Sequence, residues 1–146
     1  MAKRVMILAT NGFEQSELFD PKQNLENAGI ETEVVSLEKG EIKAWDKDDW
    51  GKTIKVDKTV DDVANCEGYD GLLLPGGQIN PDLLRVNDRA VAIVREFYAA
   101  GFPPYILSYV LTWLKGRRLS FRLSTPQGRR TGRSFVVQSG VPQGSI

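Results

Sequence analysis

Two short, unbroken apolar runs, each ending in a glycine-bearing turn, constrain the fold of this chain more than any other feature. Residues 4–10 (Arg-Val-Met-Ile-Leu-Ala-Thr) stop at Asn11-Gly12, and residues 69–74 (Tyr-Asp-Gly-Leu-Leu-Leu) run directly into Pro75-Gly76-Gly77. A continuous apolar run marks a strand covered on both faces, and such strands belong to parallel sheets sandwiched by helices. Residues 14–28 lie between them with Leu18, Phe19 and Leu25 near helical spacing, and Asn27-Ala28-Gly29 is a helix stop. A second strand over residues 31–37 completes a βαβ unit of about thirty residues, which implies parallel strands joined by a right-handed crossover.

Residues 41–57 are polar, with Trp45 and Trp50 flanking an Asp/Lys-rich turn closed by Gly51, and predict a β-hairpin insertion in which Ile54 and Val56 share a face. Residues 60–65 predict a short helix. Residues 87–100 predict a longer one whose Ala90, Val91, Val94, Phe97 and Tyr98 form one face, capped by Gly101. The fold class expected is α/β: a parallel-sheet, flavodoxin-like three-layer sandwich, truncated, followed by a helix plus β-hairpin tail.

The 146 residues contain one cysteine, Cys66, and no histidine. The commonest general base and commonest metal ligand are therefore missing, so neither a metal nor any other cofactor is expected. A single thiol fits a reducing compartment, no signal peptide is evident, and no run approaches the roughly 18 apolar residues of a membrane span. The cytoplasm is the expected location, without membrane contact. Cys66 precedes the third strand in a polar stretch, where an incidental free thiol is the reading.

In this α/β architecture, sites sit at the carboxyl ends of strands. Gly12-Phe13-Glu14-Gln15-Ser16-Glu17 follows the first strand, where Glu14 and Glu17 could simply complement a helix dipole. Pro75-Gly76-Gly77-Gln78 follows the third, where glycines let backbone N–H groups face a ligand or developing oxyanion, or merely make a tight turn. Taken together with their spacing, residues 7–21, 69–77 and 87–97 (Asn-Asp-Arg-Ala-Val-Ala-Ile-Val-Arg-Glu-Phe) resemble the ThiJ/PfpI family. Its members are intracellular proteins on the class I glutamine-amidotransferase-like sheet, described as proteases, glyoxalases, deglycases and chaperones, and linked to stress protection. The resemblance covers residues 3–101. It implies that Glu17 is the carboxylate that hydrogen-bonds a nucleophilic cysteine, that Gly76 and Gly77 form the oxyanion-binding loop, and that Asp82 is offered to a neighbouring subunit's catalytic histidine. It also implies self-association and a small carbonyl or peptide substrate.

The nucleophile itself is replaced. Counted without gaps from Gly101, the Cys-His pair of the family falls on Ser108 and Tyr109. A hydroxyl needs an adjacent base, and no histidine exists to supply it. The chain is therefore expected to be inactive, with Ser108 at the nucleophile position or simply a helix residue.

A charge boundary lies at the same place. Residues 1–96 carry twelve Lys/Arg against nineteen Asp/Glu, a net of −7, whereas residues 97–146 carry seven Lys/Arg and no acid, a net of +7. Residues 103–114 predict a helix, 119–124 and 134–138 a pair of strands, and 125–133 a basic loop between them. Gly-Phe-Pro-Pro-Tyr-Ile, Trp-Leu-Lys-Gly-Arg-Arg-Leu and Ser-Gly-Val-Pro-Gln-Gly-Ser, in this order, resemble an internal piece of a non-LTR retroelement reverse transcriptase over residues 101–146. Two units are expected: residues 1–100, an incomplete ThiJ/PfpI-like domain, and residues 101–146, a basic helix-hairpin tail. With no carboxylate of its own the tail cannot build a two-metal site, but it could hold nucleic acid weakly through phosphates. A further alternative places 105–107 as a strand beside 72–74.

Overall fold

The computed structural model describes residues 3–101 in full, together with the backbone of Tyr105–Ile106, Arg122–Thr125 and Gly128–Thr131. The elements run β1 (Arg4–Leu8), β2 (Phe13–Glu14), α1 (Gln15–Asn27), β3 (Glu31–Ser36), β4 (Glu41–Asp46), β5 (Asp49–Lys55), β6 (Lys58–Thr59), a 3₁₀ turn (Val60–Asp62), β7 (Gly71–Leu74), α2 (Ile79–Leu84), α3 (Asp88–Ala99), β8 (Tyr105–Ile106), β9 (Arg122–Thr125) and β10 (Gly128–Thr131). Five strands form one sheet in the order β6-β3-β1-β7-β8, every pairing parallel. β2, β4 and β5 make a smaller sheet, in which β2 pairs in parallel with β4.

The unbroken apolar runs have the expected cause. Along β1, Met6 and Leu8 enter one core with Val35, Leu72, Ala90, Ile93 and Phe97, under α3. Ile7, and Ala9 just beyond the strand, enter the other with Val34, Leu73, Phe13 and Leu18, under α1 and the hairpin. Both faces of the strand are buried, so polar alternation has no place in it. This is the three-layer sandwich expected from the sequence.

Several boundaries move. The α3 face includes Ile93, fully buried, while Val91 and Tyr98 are only half-buried. The helix expected at 60–65 is a single 3₁₀ turn, opened by a capping box in which the Asp62 carboxylate accepts from both the backbone N–H and the hydroxyl of Thr59 (3.0 and 2.8 Å), and it ends at Val63, whose backbone is extended. In the hairpin, Trp45 pairs with Trp50 around Lys47-Asp48, and Lys47 takes the left-handed conformation (φ 61°). Gly51 lies inside β5 and does not close the turn. Its missing side chain leaves room for Gln15, whose Oε1 would lie 2.2 Å from a Cβ there.

The expected start of a tail helix at residue 103 is corrected: Tyr105 and Ile106 are a strand, registered beside Leu73 and Leu74. This is the alternative placement. The backbone groups of β7 would otherwise form an open parallel edge, and pairing satisfies them. The basic hairpin exists, but its return strand is Gly128–Thr131, inside the stretch expected to be loop, with Thr125 paired to Gly128. The expected strand at 134–138 lies outside the described residues, as do residues 107–121 of the expected helix and its neighbours. Among the described residues, no helix is long and apolar enough to cross a membrane.

Candidate functional site

The carboxyl ends of β1 and β7 bring both glycine-bearing turns together. Gly76 joins them in two directions: its N–H donates to Glu17 Oε2 (2.7 Å), and its carbonyl accepts from the Glu14 N–H (2.9 Å). Glu17 sits in the first turn of α1 and is only 4% exposed, so its carboxylate points inward and does not act as a solvated helix cap. Burial pushes its pKa up, the Gly76 N–H opposes that shift, and the nearby Glu14 carboxylate adds to it. Glu14 is half-buried, and its pKa is also raised, first by burial and then by repulsion from Asp46 on the hairpin.

Close backbone approach explains the glycines. Gly77 has φ 114°, and a Cβ there would lie 2.6 Å from the carbonyl oxygen of Gly12. Gly12 itself has φ 80° and faces the Ile79 side chain of α2. The hairpin buttresses the first turn from outside: Gly12 N–H donates to the Lys43 carbonyl (2.8 Å), Lys43 N–H to Asn11 Oδ1 (2.8 Å), and Lys52 N–H to Gln15 Oε1 (2.7 Å). Behind the loop, on the α3 side, a groove of about 340 Å³ is lined by Leu8, Leu74, Pro75, Leu84, Val91 and Val94.

Of the residues singled out from sequence, Glu17, Gly76 and Gly77 come together. Asp82 does not join them. It is exposed on α2 and paired with Arg85 one turn on (2.9 Å). Ser108 and Tyr109 lie outside the described residues. Cys66 is half-buried at the amino end of β7, against the α3-side core. A four-residue strand, about 13 Å long at the usual rise, separates it from the Gly76 end. Asn80, Asn11 and Gln15 are not legible as site residues in the sequence: each is a lone amide at a turn or in the first turn of a helix, and only its long-range partner gives it meaning. Among the described residues, no cluster of His, Cys, Asp and Glu could hold a metal ion.

A buried carboxylate held on a backbone N–H thus lies at the carboxyl ends of the parallel strands of an α/β fold. The DJ-1/PfpI family model matches residues 3–105, and the chain belongs to that family. It is 34% identical to the deglycase PfpI of Pyrococcus furiosus over 133 residues, covering 91% of this chain and 72% of that protein. It is 34% identical to general stress protein 18 of Bacillus subtilis, covering 75% of this chain and 61% of that protein. Among solved structures, a two-domain protein from Anabaena variabilis with DJ-1/ThiJ/PfpI-like and ferritin-like domains matches with a TM-score of 0.61 and 29% identity, over 68% of this chain and 28% of that one.

The raised pKa of Glu17 makes stability pH-dependent with a definite sign. Because its folded-state pKa lies above the unfolded one, the folded chain holds the proton more tightly. The associated stability is present below the ordinary glutamate range and is lost as pH rises through the raised folded value. Glu17→Gln keeps an acceptor for the Gly76 N–H and removes the charge. Urea midpoints of the two proteins should nearly coincide at about pH 3.5, near the lower edge of the glutamate range, and the variant should gain on wild type toward about pH 7. A wild type that gained on the variant would show that the charged carboxylate is the stabilising form.

Proposed function

We propose that this chain keeps the scaffold and the carboxylate half of a DJ-1/PfpI carbonyl-processing site but carries no turnover of its own. The observation behind this reading is a mismatch: the Glu17–Gly76 contact is formed, while the one cysteine of the sequence sits at the opposite end of β7 and there is no histidine. A serine at the nucleophile position would have to rely on a carboxylate such as Glu17, and a carboxylate is a weak acceptor for a hydroxyl proton. The substrates in question are small aldehydes, glycated groups and peptides, in keeping with relatives named deglycase and stress protein. In this reading the Gly76 N–H orients Glu17, and Gly77 is left as the oxyanion donor of the loop.

Ser108 is the position to test. β8 places Ile106 beside Leu74, the last residue of β7 before the Pro75-Gly76-Gly77 loop, and Ser108 follows Ile106 by two positions in the sequence. Methylglyoxal consumption and peptide cleavage by the purified protein should stay at the buffer rate. Turnover that Ser108→Ala abolished would overturn the reading.

A second reading comes from charge. Residues 97–146 have a net charge of +7, and the paired strands β9 and β10 carry Arg122, Arg129 and Arg130. We propose that the basic stretch beyond β8, within the 101–146 tail, holds nucleic acid weakly through phosphates. Retention of a single-stranded oligonucleotide should weaken steeply with salt and survive deletion of residues 1–100; no retention at low salt would remove this reading.

A further inference from the structure

We infer that Asn80 is a positioning residue for the site: it fixes the direction in which the Gly76 N–H points by holding the other end of the same peptide group. The carbonyl of Pro75 and the N–H of Gly76 belong to one planar trans peptide, so anchoring the oxygen aims the hydrogen the opposite way. Asn80 Nδ2 donates to the Pro75 carbonyl at 2.7 Å, and the Gly76 N–H donates to Glu17 at 2.7 Å. The Asn80 side chain is anchored in turn, because its Oδ1 accepts from the Thr10 N–H at 2.7 Å. With the residue 1% exposed, water does not compete for these bonds.

The need for such a bridge follows from where the ladder stops. β1 and β7 pair only as far as Ile7 and Leu73. Beyond that point the Ala9 N–H belongs to the β3 side, completing the Leu8–Val35 pair on the Val35 carbonyl, and Pro75 has no N–H to offer. The direct ladder therefore ends where the site begins, with the Thr10 donor and the Pro75 acceptor both buried and both bonded to Asn80. A primary amide carries one acceptor and one donor side, as a peptide group does, and Asn80 spans the gap as a missing rung would. The Glu14 N–H on the Gly76 carbonyl holds the following peptide, so a flip of the Pro75–Gly76 unit is opposed chiefly by Asn80.

This inference rests on the reading of Glu17 and Gly76 as the functional pair, but its test reads an amide and not turnover, so either can fail alone. In the full-length wild type, the Gly76 amide proton resonance should follow the titration of the Glu17 carboxyl. In Asn80→Ala that titration-linked shift should vanish while the protein remains folded. Ile93→Ala, destabilised in the core under α3, should keep it. Should Asn80→Ala fail to fold, Asn80→Asp at about pH 7 preserves the acceptor for Thr10 but not the donor to Pro75, and its Gly76 resonance should leave the wild-type position. Gly76 still titrating with Glu17 in Asn80→Ala, or unmoved in Asn80→Asp, would overturn the assignment, as would equal loss in Ile93→Ala.

Discussion

Replacing Gly77 with alanine is expected to cost about 3–5 kcal/mol of folding free energy, combining the strain of a left-handed non-glycine residue with overpacking of a closed contact. At φ 114° the new Cβ would sit 2.6 Å from the Gly12 carbonyl oxygen and 3.1 Å from the Glu14 nitrogen, and both neighbours are backbone. Neither can rotate away as a side chain would. Relief requires the Pro75–Gly77 loop to withdraw from the first turn, which would break the Glu14–Gly76 and Glu17–Gly76 bonds together. Gly29→Ala is the matched control. It has a similar backbone sign, φ 78°, but nothing lies within 4 Å, so only the left-handed penalty of about 1–2 kcal/mol applies. Urea unfolding of the two variants separates close approach from backbone conformation. Equal losses would show that the Gly12–Gly77 contact contributes nothing.

Phe13→Ala should be comparably severe, at about 3–5 kcal/mol for a fully buried aromatic ring replaced by a methyl group. Phe13 has no exposed surface, its ring lies 6.1 Å from that of Phe19, and its backbone pairs with Ala44 of the hairpin. The residue therefore joins three elements at one point: the first turn of the site, α1, and β4. Removing the ring leaves a cavity under the Gly12–Glu14 turn and loosens the hairpin that carries Trp45 and Trp50, whose rings meet edge to face at 5.3 Å. Indole fluorescence should then change at lower urea than in wild type. A loss below about 1 kcal/mol would mean that the site turn is held by its hydrogen bonds and not by the core, since a collapsing cavity in a close-packed interior still costs more than that.

Other residues show how far the chain can be read before it is folded. The apolar runs at 4–10 and 69–74, the helical spacing at 14–28 and 87–100 and the stops at Gly29 and Gly101 translate into β1, β7, α1, α3 and the ends of the two helices. These are local signals, set by periodicity and by backbone freedom at single positions. α2 escaped, because Ile79–Leu84 is a six-residue helix opening with Asn80-Pro81 and shows no apolar period. β2 escaped as well: two residues become a strand only when β4 arrives beside them. The tail went wrong for a related reason. Tyr105–Ile106 lies in an apolar stretch that suits a helix or a strand, and the unpaired edge of β7 decided for a strand.

The sequence by itself determined the class of fold, the two glycine turns, the three buried strands of the first hundred residues, and the want of any histidine with its chemical consequence. What only the tertiary structure decided is which groups meet. Glu17 could have been a solvated first-turn acid, Gly76 a plain turn and Asn80 an ordinary surface amide. Each becomes part of one site because parallel strands 66 residues apart end side by side, leaving buried donors and acceptors that must find partners across the gap. Long-range hydrogen-bond demand of that kind leaves no trace in local periodicity, and here it made an asparagine unremarkable in the chain into the residue that aims the peptide of the site.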